Sequence, residues 1–135
     1  MDDRSKQADI IAPAILVAEN ELTARISLSE LLRDEGYRVI EAADSGSALV
    51  QIRQNSNLRV ILSSLEMPTW ESIIAQGRHD MPSGLIVGML RYGALANALE
   101  AQRLGADGYL VKPLSFGDVN DWIRRFLTGQ SEIKR

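Results

Sequence analysis

Short apolar runs alternate with longer stretches of helical periodicity, and this order repeats five times along the chain. Such alternation predicts an α/β fold built on a parallel sheet. Ala14-Ile15-Leu16-Val17-Ala18 is continuously apolar, as a strand covered on both faces must be. Arg59-Val60-Ile61-Leu62 and Leu85-Ile86-Val87-Gly88-Met89-Leu90 read the same way. Tyr37-Arg38-Val39-Ile40-Glu41 is more polar and Gly108-Tyr109-Leu110-Val111 is short, so these two are the predicted edge strands.

The intervening helices are predicted from apolar stripes. Ala24, Leu28, Leu31 and Leu32 share one face of a helix ending at Gly36, and Ala48, Leu49 and Ile52 share another after Asp44-Ser45-Gly46. A short third helix is expected around Trp70 to Gln76, after Pro68. Leu95, Ala98 and Leu99 mark a fourth that stops at Gly105, its stripe expected to be mostly core. Val119, Trp122, Ile123 and Phe126 mark the last, and Ser115 with Asp118 three residues later reads as its capping start. Right-handed crossovers then wind the sheet doubly, with helices on both faces in a three-layer domain. Ligand chemistry in such a sheet belongs at the carboxyl ends of the strands. Those positions are Glu19 and Asn20, Ser64 to Pro68, Leu90 to Tyr92, and Lys112-Pro113.

Composition narrows the function classes. At 135 residues with 45% hydrophobic and 24% charged side chains, one globular domain over 13–128 is expected, flanked by a polar tail at 1–12 and a tail or cut linker at 129–135. Cysteine is absent and His79 is the sole histidine, which excludes thiol chemistry, disulfides and multi-histidine metal sites. Fifteen basic against eighteen acidic residues leave a net charge of −3, which argues against nucleic-acid binding. The polar start has no signal-peptide pattern and no apolar run nears the roughly 18 residues of a membrane span, so a cytoplasmic protein without membrane contact is expected.

Several pieces stand in order along the chain: Ile15-Leu16-Val17-Ala18 followed by an acidic residue, Gly36-Tyr37-Arg38-Val39, Gly46 ahead of Ala48-Leu49, Met67-Pro68, and Gly105-Ala106-Asp107-Gly108-Tyr109-Leu110-Val111-Lys112-Pro113. Together they resemble the receiver domain of two-component response regulators of the chemotaxis type. The resemblance covers about residues 13 to 128 and implies a flavodoxin-like (βα)5 fold with strand order 2-1-3-4-5. It also implies phosphoryl transfer from a histidine kinase to an aspartate with the help of Mg²⁺. That reaction uses an acidic pair after the first strand, an acceptor aspartate after the third, a Ser or Thr after the fourth and a Lys after the fifth. Carboxylates serve as anionic nucleophile and hard-oxygen ligands, while the hydroxyl and ammonium bind phosphoryl oxygens.

The corresponding residues here are Glu19 with Asn20, Ser64, Leu90 and Lys112. Serine is a poor nucleophile without a general base, one carboxylate replaces two or three, and leucine offers a phosphoryl oxygen nothing. The chain is therefore read as an atypical receiver, a pseudo-receiver, that is not an enzyme and signals by phosphorylation-independent protein contacts. It is expected to need no cofactor and to bind Mg²⁺ weakly or not at all, with Glu19 and Glu66 as residual candidates. Lys112 is expected to pair with Glu19 or a strand-end carbonyl, and Ser64 to fill space with a hydrogen bond rather than to be modified by another kinase. Tyr109, at the switch-aromatic position, is expected to be fixed; Glu66 either leans into the site, standing in for part of the lost negative charge, or, as is commoner at such a place, is a solvated loop acid. His79 is expected exposed on a loop, beside Asp80. Trp70 is left open between a partner contact and a staple for the third helix.

Expected partners are a sensor kinase or an output domain, with a homodimer through the fourth helix, fifth strand and fifth helix as a further option. Ala94, Asn97, Arg103, Asp107 and Arg124 are the candidate outer residues of that surface. Two rival readings are a phosphorylatable receiver with an unusual acceptor site and a binder of a small anion or nucleotide. The second lacks a glycine-rich phosphate loop, and Glu19-Asn20-Glu21 would repel phosphate.

Overall fold

A computed structural model describes residues 13–129. The tail expected at 1–12, and all of the one expected at 129–135 except Gly129, lie outside the described residues. The strands are β1 (Ala14–Ala18), β2 (Arg38–Ala42), β3 (Leu58–Ser64), β4 (Leu85–Arg91) and β5 (Gly108–Lys112). The helices are α1 (Leu22–Asp34), α2 (Ser45–Gln54), α3 (Trp70–Asp80), α4 (Leu95–Leu104) and α5 (Phe116–Thr128).

The five strands form one sheet in the order β2-β1-β3-β4-β5, with every pairing parallel. The two strands with the weakest apolar pattern are its edges, because each has only one neighbour to bury it. Side chains alternate across the buried strands and build two cores. Ala14, Leu16 and Ala18 of β1 join Ala48, Ile52, Ile73, Ile74 and Ala98 under α2, α3 and α4. Ile15 and Val17 join Leu28, Leu32, Val119 and Ile123 under α1 and α5.

Local capping matches local sequence. Glu21, Asp44 and Ser115 each accept the backbone N–H three residues on, at the starts of α1, α2 and α5. Gly36, with φ of 97°, turns the chain after α1 into β2.

Two expectations need correction, and the question left open at Trp70 is answered. α3 runs on to Asp80, so His79 lies in its last turn rather than on a loop, with its side chain 82% exposed. Trp70 is buried with Ile73, Ile74 and Gly77 on the inner face of α3, which settles it as a staple rather than an exposed contact. Gly77 lets this short helix approach closely, since a Cβ there would lie 2.6 Å from Ile61 Cδ1. Finally, Leu31, Leu95 and Leu99 are exposed. α4 buries only Ala98 and Ala101, so it sits on the sheet through small residues and turns its leucines outward.

Candidate functional site

β1 and β3 are neighbours while their chain connections leave in opposite directions, which opens a crevice at their carboxyl ends. Glu19 follows β1 directly, and its N–H donates to the Ala42 carbonyl at 3.0 Å, which fixes the backbone there. Its side chain is 3% exposed, a costly place for a carboxylate without partners. Both oxygens are engaged: Oε1 lies 2.8 Å from Lys112 Nζ, and Oε2 accepts the Glu21 N–H at 3.0 Å. Arg25 adds a second cation nearby, donating to the Glu19 carbonyl at 2.9 Å and pairing with Glu41 at 3.3 Å.

Ser64 ends β3 and is wholly buried. Its hydroxyl accepts the Glu66 N–H at 3.2 Å. Glu66 takes the less common of its two expected places and leans into the site. Instead of a solvated loop acid it is a half-buried group whose Oε1 lies 3.8 Å from Lys112 Nζ and whose Oε2 accepts both the Arg91 N–H and Arg91 Nε, the latter at 3.2 Å. Lys112 thus stands between two carboxylates, and every oxygen of those carboxylates already faces a cation or an N–H.

Asn20 is exposed at the rim. Leu90 is buried in the core shared with Leu65 and Ala98, and Tyr109 packs against that core half-buried. The tertiary structure therefore brings together Glu19, Ser64, Glu66 and Lys112, and leaves Asn20, Leu90 and Tyr109 outside the polar cluster. Sequence reasoning placed Arg91 within the strand-end range Leu90 to Tyr92 without giving it a role, and missed Arg25. The available signal for Arg91 was a charge directly after the apolar run of β4.

Among the candidate outer residues, Arg103, Asp107 and Arg124 are exposed and Ala94 and Asn97 are half-buried. Asn97 donates to the Leu65 carbonyl at 2.8 Å, and Asp107 accepts from Arg78 at 2.8 Å and from the Ile86 N–H at 2.9 Å. Both are thereby used within the fold. The exposed apolar side chains on this side are Tyr92, Leu95, Leu99 and Val111.

The sequence pattern of the response regulator receiver domain matches residues 15–124. The chain belongs to this family. Receivers are signalling domains of two-component systems, and this receiver is 28% identical over 124 residues to the transcriptional regulatory protein PdtaR of Mycobacterium tuberculosis, covering 88% of the chain and 59% of that protein. It is 30% identical over 122 residues to the response regulator protein FleR of Pseudomonas aeruginosa, covering 89% of the chain and 26% of that protein. The receiver therefore spans only part of the length of these relatives. In structure it is similar to a response regulator receiver domain protein from Clostridium thermocellum, with a TM-score of 0.80 at 25% identity over 90% of this chain and 98% of that one. Among the described residues no helix is long and apolar enough to cross a membrane, and no group of three or more His, Cys, Asp or Glu is placed to hold a metal ion.

Proposed function

We propose that this receiver transmits signals by protein contacts without taking up a phosphoryl group. The observation that carries the reading is the Lys112–Glu19 pair: the cation that would meet a phosphoryl oxygen is committed to a buried carboxylate, and the residue ending β3 is a buried hydroxyl whose hydrogen bond goes to the Glu66 N–H rather than to a carboxylate. Serine, unlike aspartate, is not an anion at neutral pH, so attack on a phosphoryl donor requires a proton acceptor that none of its contacts supplies.

The same contacts support weak or absent Mg²⁺ binding. Mg²⁺ demands several oxygen ligands in octahedral array, and the oxygens of Glu19 and Glu66 are already engaged by Lys112, Arg91 and backbone N–H groups. The donor set does not fit the ion.

Partners in this reading are a sensor kinase, an output domain or a second copy of the domain. The face formed by α4, β5 and α5 is the contact surface, and Tyr92, Leu95, Leu99 and Val111 are its apolar contribution, with Tyr92 91% exposed. A cytoplasmic location accords with this role.

Incubation with acetyl phosphate and Mg²⁺, followed by intact mass measurement, tests the proposal. An unmodified chain is expected; a stoichiometric phospho-adduct would overturn the reading in favour of a phosphorylatable receiver with an unusual acceptor.

A further inference from the structure

Glu66 lies in the loop after β3, yet its carboxylate reaches the ends of two other strands. Oε2 accepts the backbone N–H and the Nε of Arg91, and Oε1 lies 3.8 Å from Lys112 Nζ. Arg91 and Lys112 are register partners at the ends of β4 and β5, so these donors converge on one place by the geometry of the sheet. The loop carrying Glu66 is held from several sides. Its own N–H is taken by Ser64 Oγ at 3.2 Å, the Leu65 N–H by the Met89 carbonyl at 2.8 Å, and the Leu65 carbonyl by Asn97 at 2.8 Å.

A peptide N–H and a guanidinium aimed at one oxygen, with an ammonium 3.8 Å from the other, form a donor set for an oxyanion. Here a carboxylate of the same chain occupies it. Glu66 with Arg91, and Glu19 with Lys112, also bring the formal charge of the cluster to zero. Removing the Glu66 carboxylate would leave a net positive seat with an unpartnered N–H.

We propose that Glu66 is a built-in anion: its carboxylate fills an oxyanion seat made by the backbone N–H and guanidinium of Arg91, with Lys112 held alongside by Glu19, and inorganic phosphate binds that seat reversibly when the carboxylate is removed. The inference rests on the phosphorylation-independent reading above and deepens it. With the seat filled from within, the loop after β3, the end of β4 and the end of β5 are held in one arrangement without any external anion. Tyr92 of the exposed apolar face follows directly on Arg91, and Leu95 opens α4 four residues on, so the same contact sets where that face is presented.

The test compares wild type with Glu66→Ala and Glu66→Gln in titrations with inorganic phosphate, read by the amide resonance of Arg91. Wild type is expected to show no saturable shift. Glu66→Ala is expected to bind phosphate at least about tenfold more tightly, the scale of one charge-assisted hydrogen bond, with Arg91 among the amides that move. Adding Arg91→Ala to that variant is expected to abolish the response. Equal phosphate response in wild type and Glu66→Ala, or a response that leaves Arg91 unmoved, overturns the proposal. Glu66→Gln keeps the side-chain shape and guards against a misfolded alanine variant. It is expected to move the Arg91 amide upfield in phosphate-free buffer, and an unmoved amide again overturns the proposal. Intact mass on the same samples separates the two readings, because reversible binding leaves the mass of every variant unchanged, whereas a phospho-adduct on wild type speaks against the phosphorylation-independent function alone.

Discussion

Lys112 Nζ lies 2.8 Å from Glu19 Oε1, joining the end of β5 to the end of β1 although β3 and β4 stand between those strands. The pair is unequal: the Glu19 side chain is almost wholly buried and that of Lys112 is 23% exposed. Loss of the cation therefore strands a buried carboxylate, while loss of the carboxylate leaves an ammonium able to turn toward water.

Lys112→Met is accordingly expected to lower stability by about 2–4 kcal/mol, and Glu19→Gln by less. Urea unfolding of both single variants and of the double variant gives the coupling directly. A double variant less stable than Lys112→Met alone would show that the ion pair is not what holds Glu19 in place.

Ser64→Asp adds a carboxylate where β3 ends, two residues before Glu66, whose Oε1 lies 3.8 Å from Lys112 Nζ. Because the shortage of free anionic oxygens is the stated obstacle to Mg²⁺, this variant is expected to bind the ion at least about tenfold more tightly than wild type by calorimetry. Equal affinities would mean that Lys112 and Arg91, rather than the missing aspartate, decide the matter.

Thr69 precedes α3 in the left-handed region, with φ of 59°, where a β-branched side chain is strained by about 1–2 kcal/mol. Its hydroxyl offsets part of this by donating to the Pro68 carbonyl at 2.6 Å. Thr69→Gly is expected to raise Tm by about 2–5 °C. A fall in Tm would show that the hydroxyl contact and the reduced freedom of the unfolded chain outweigh the strain.

Gly88 faces Leu65, and a Cβ at that position would lie 2.5 Å from Leu65 Cδ1 and 2.8 Å from its Cγ. Leu65 is buried and cannot swing into solvent. Gly88→Ala is expected to cost about 1–3 kcal/mol, and the further change Leu65→Ala to cost much less in that background than alone. Additive effects of the two changes in chemical denaturation would contradict the contact.

Tyr37 donates to Asn120 at 3.3 Å, linking the turn after α1 to α5. Burial raises its phenol above the ordinary 10.0; the Arg124 charge opposes the rise and the Glu35 charge adds to it. Above pH 10 the unfolded chain gives up this proton before the folded one, so it binds fewer protons and stability falls as pH rises. The contribution is whole below that range. Urea midpoints between pH 9 and 11 should fall more steeply for wild type than for Tyr37→Phe, and parallel profiles would remove Tyr37 as the cause.

How far the sequence speaks varies with the residue. The apolar runs at Ala14–Ala18 and Leu85–Leu90 identify covered strands because a strand between two helical layers can tolerate little else. The weaker runs at Tyr37–Glu41 and Gly108–Val111 identify edges for the complementary reason. Leu95 and Leu99 mislead, since apolar periodicity reports which residues share a helix face but not whether Ala98 and Ala101 already suffice to seat the helix.

At the candidate site the sequence determined the residue types: a serine where β3 ends, one acidic residue after β1, a leucine late in β4 and a lysine at the end of β5. Only the tertiary structure decided how their charges are shared. Local pattern carries no information about contacts between residues 25 or 93 positions apart, such as Glu66 with Arg91 and Glu19 with Lys112. Such pairs depend on strand order and register, which bring distant carboxylates and cations to one rim of the sheet where burial forces them to find each other.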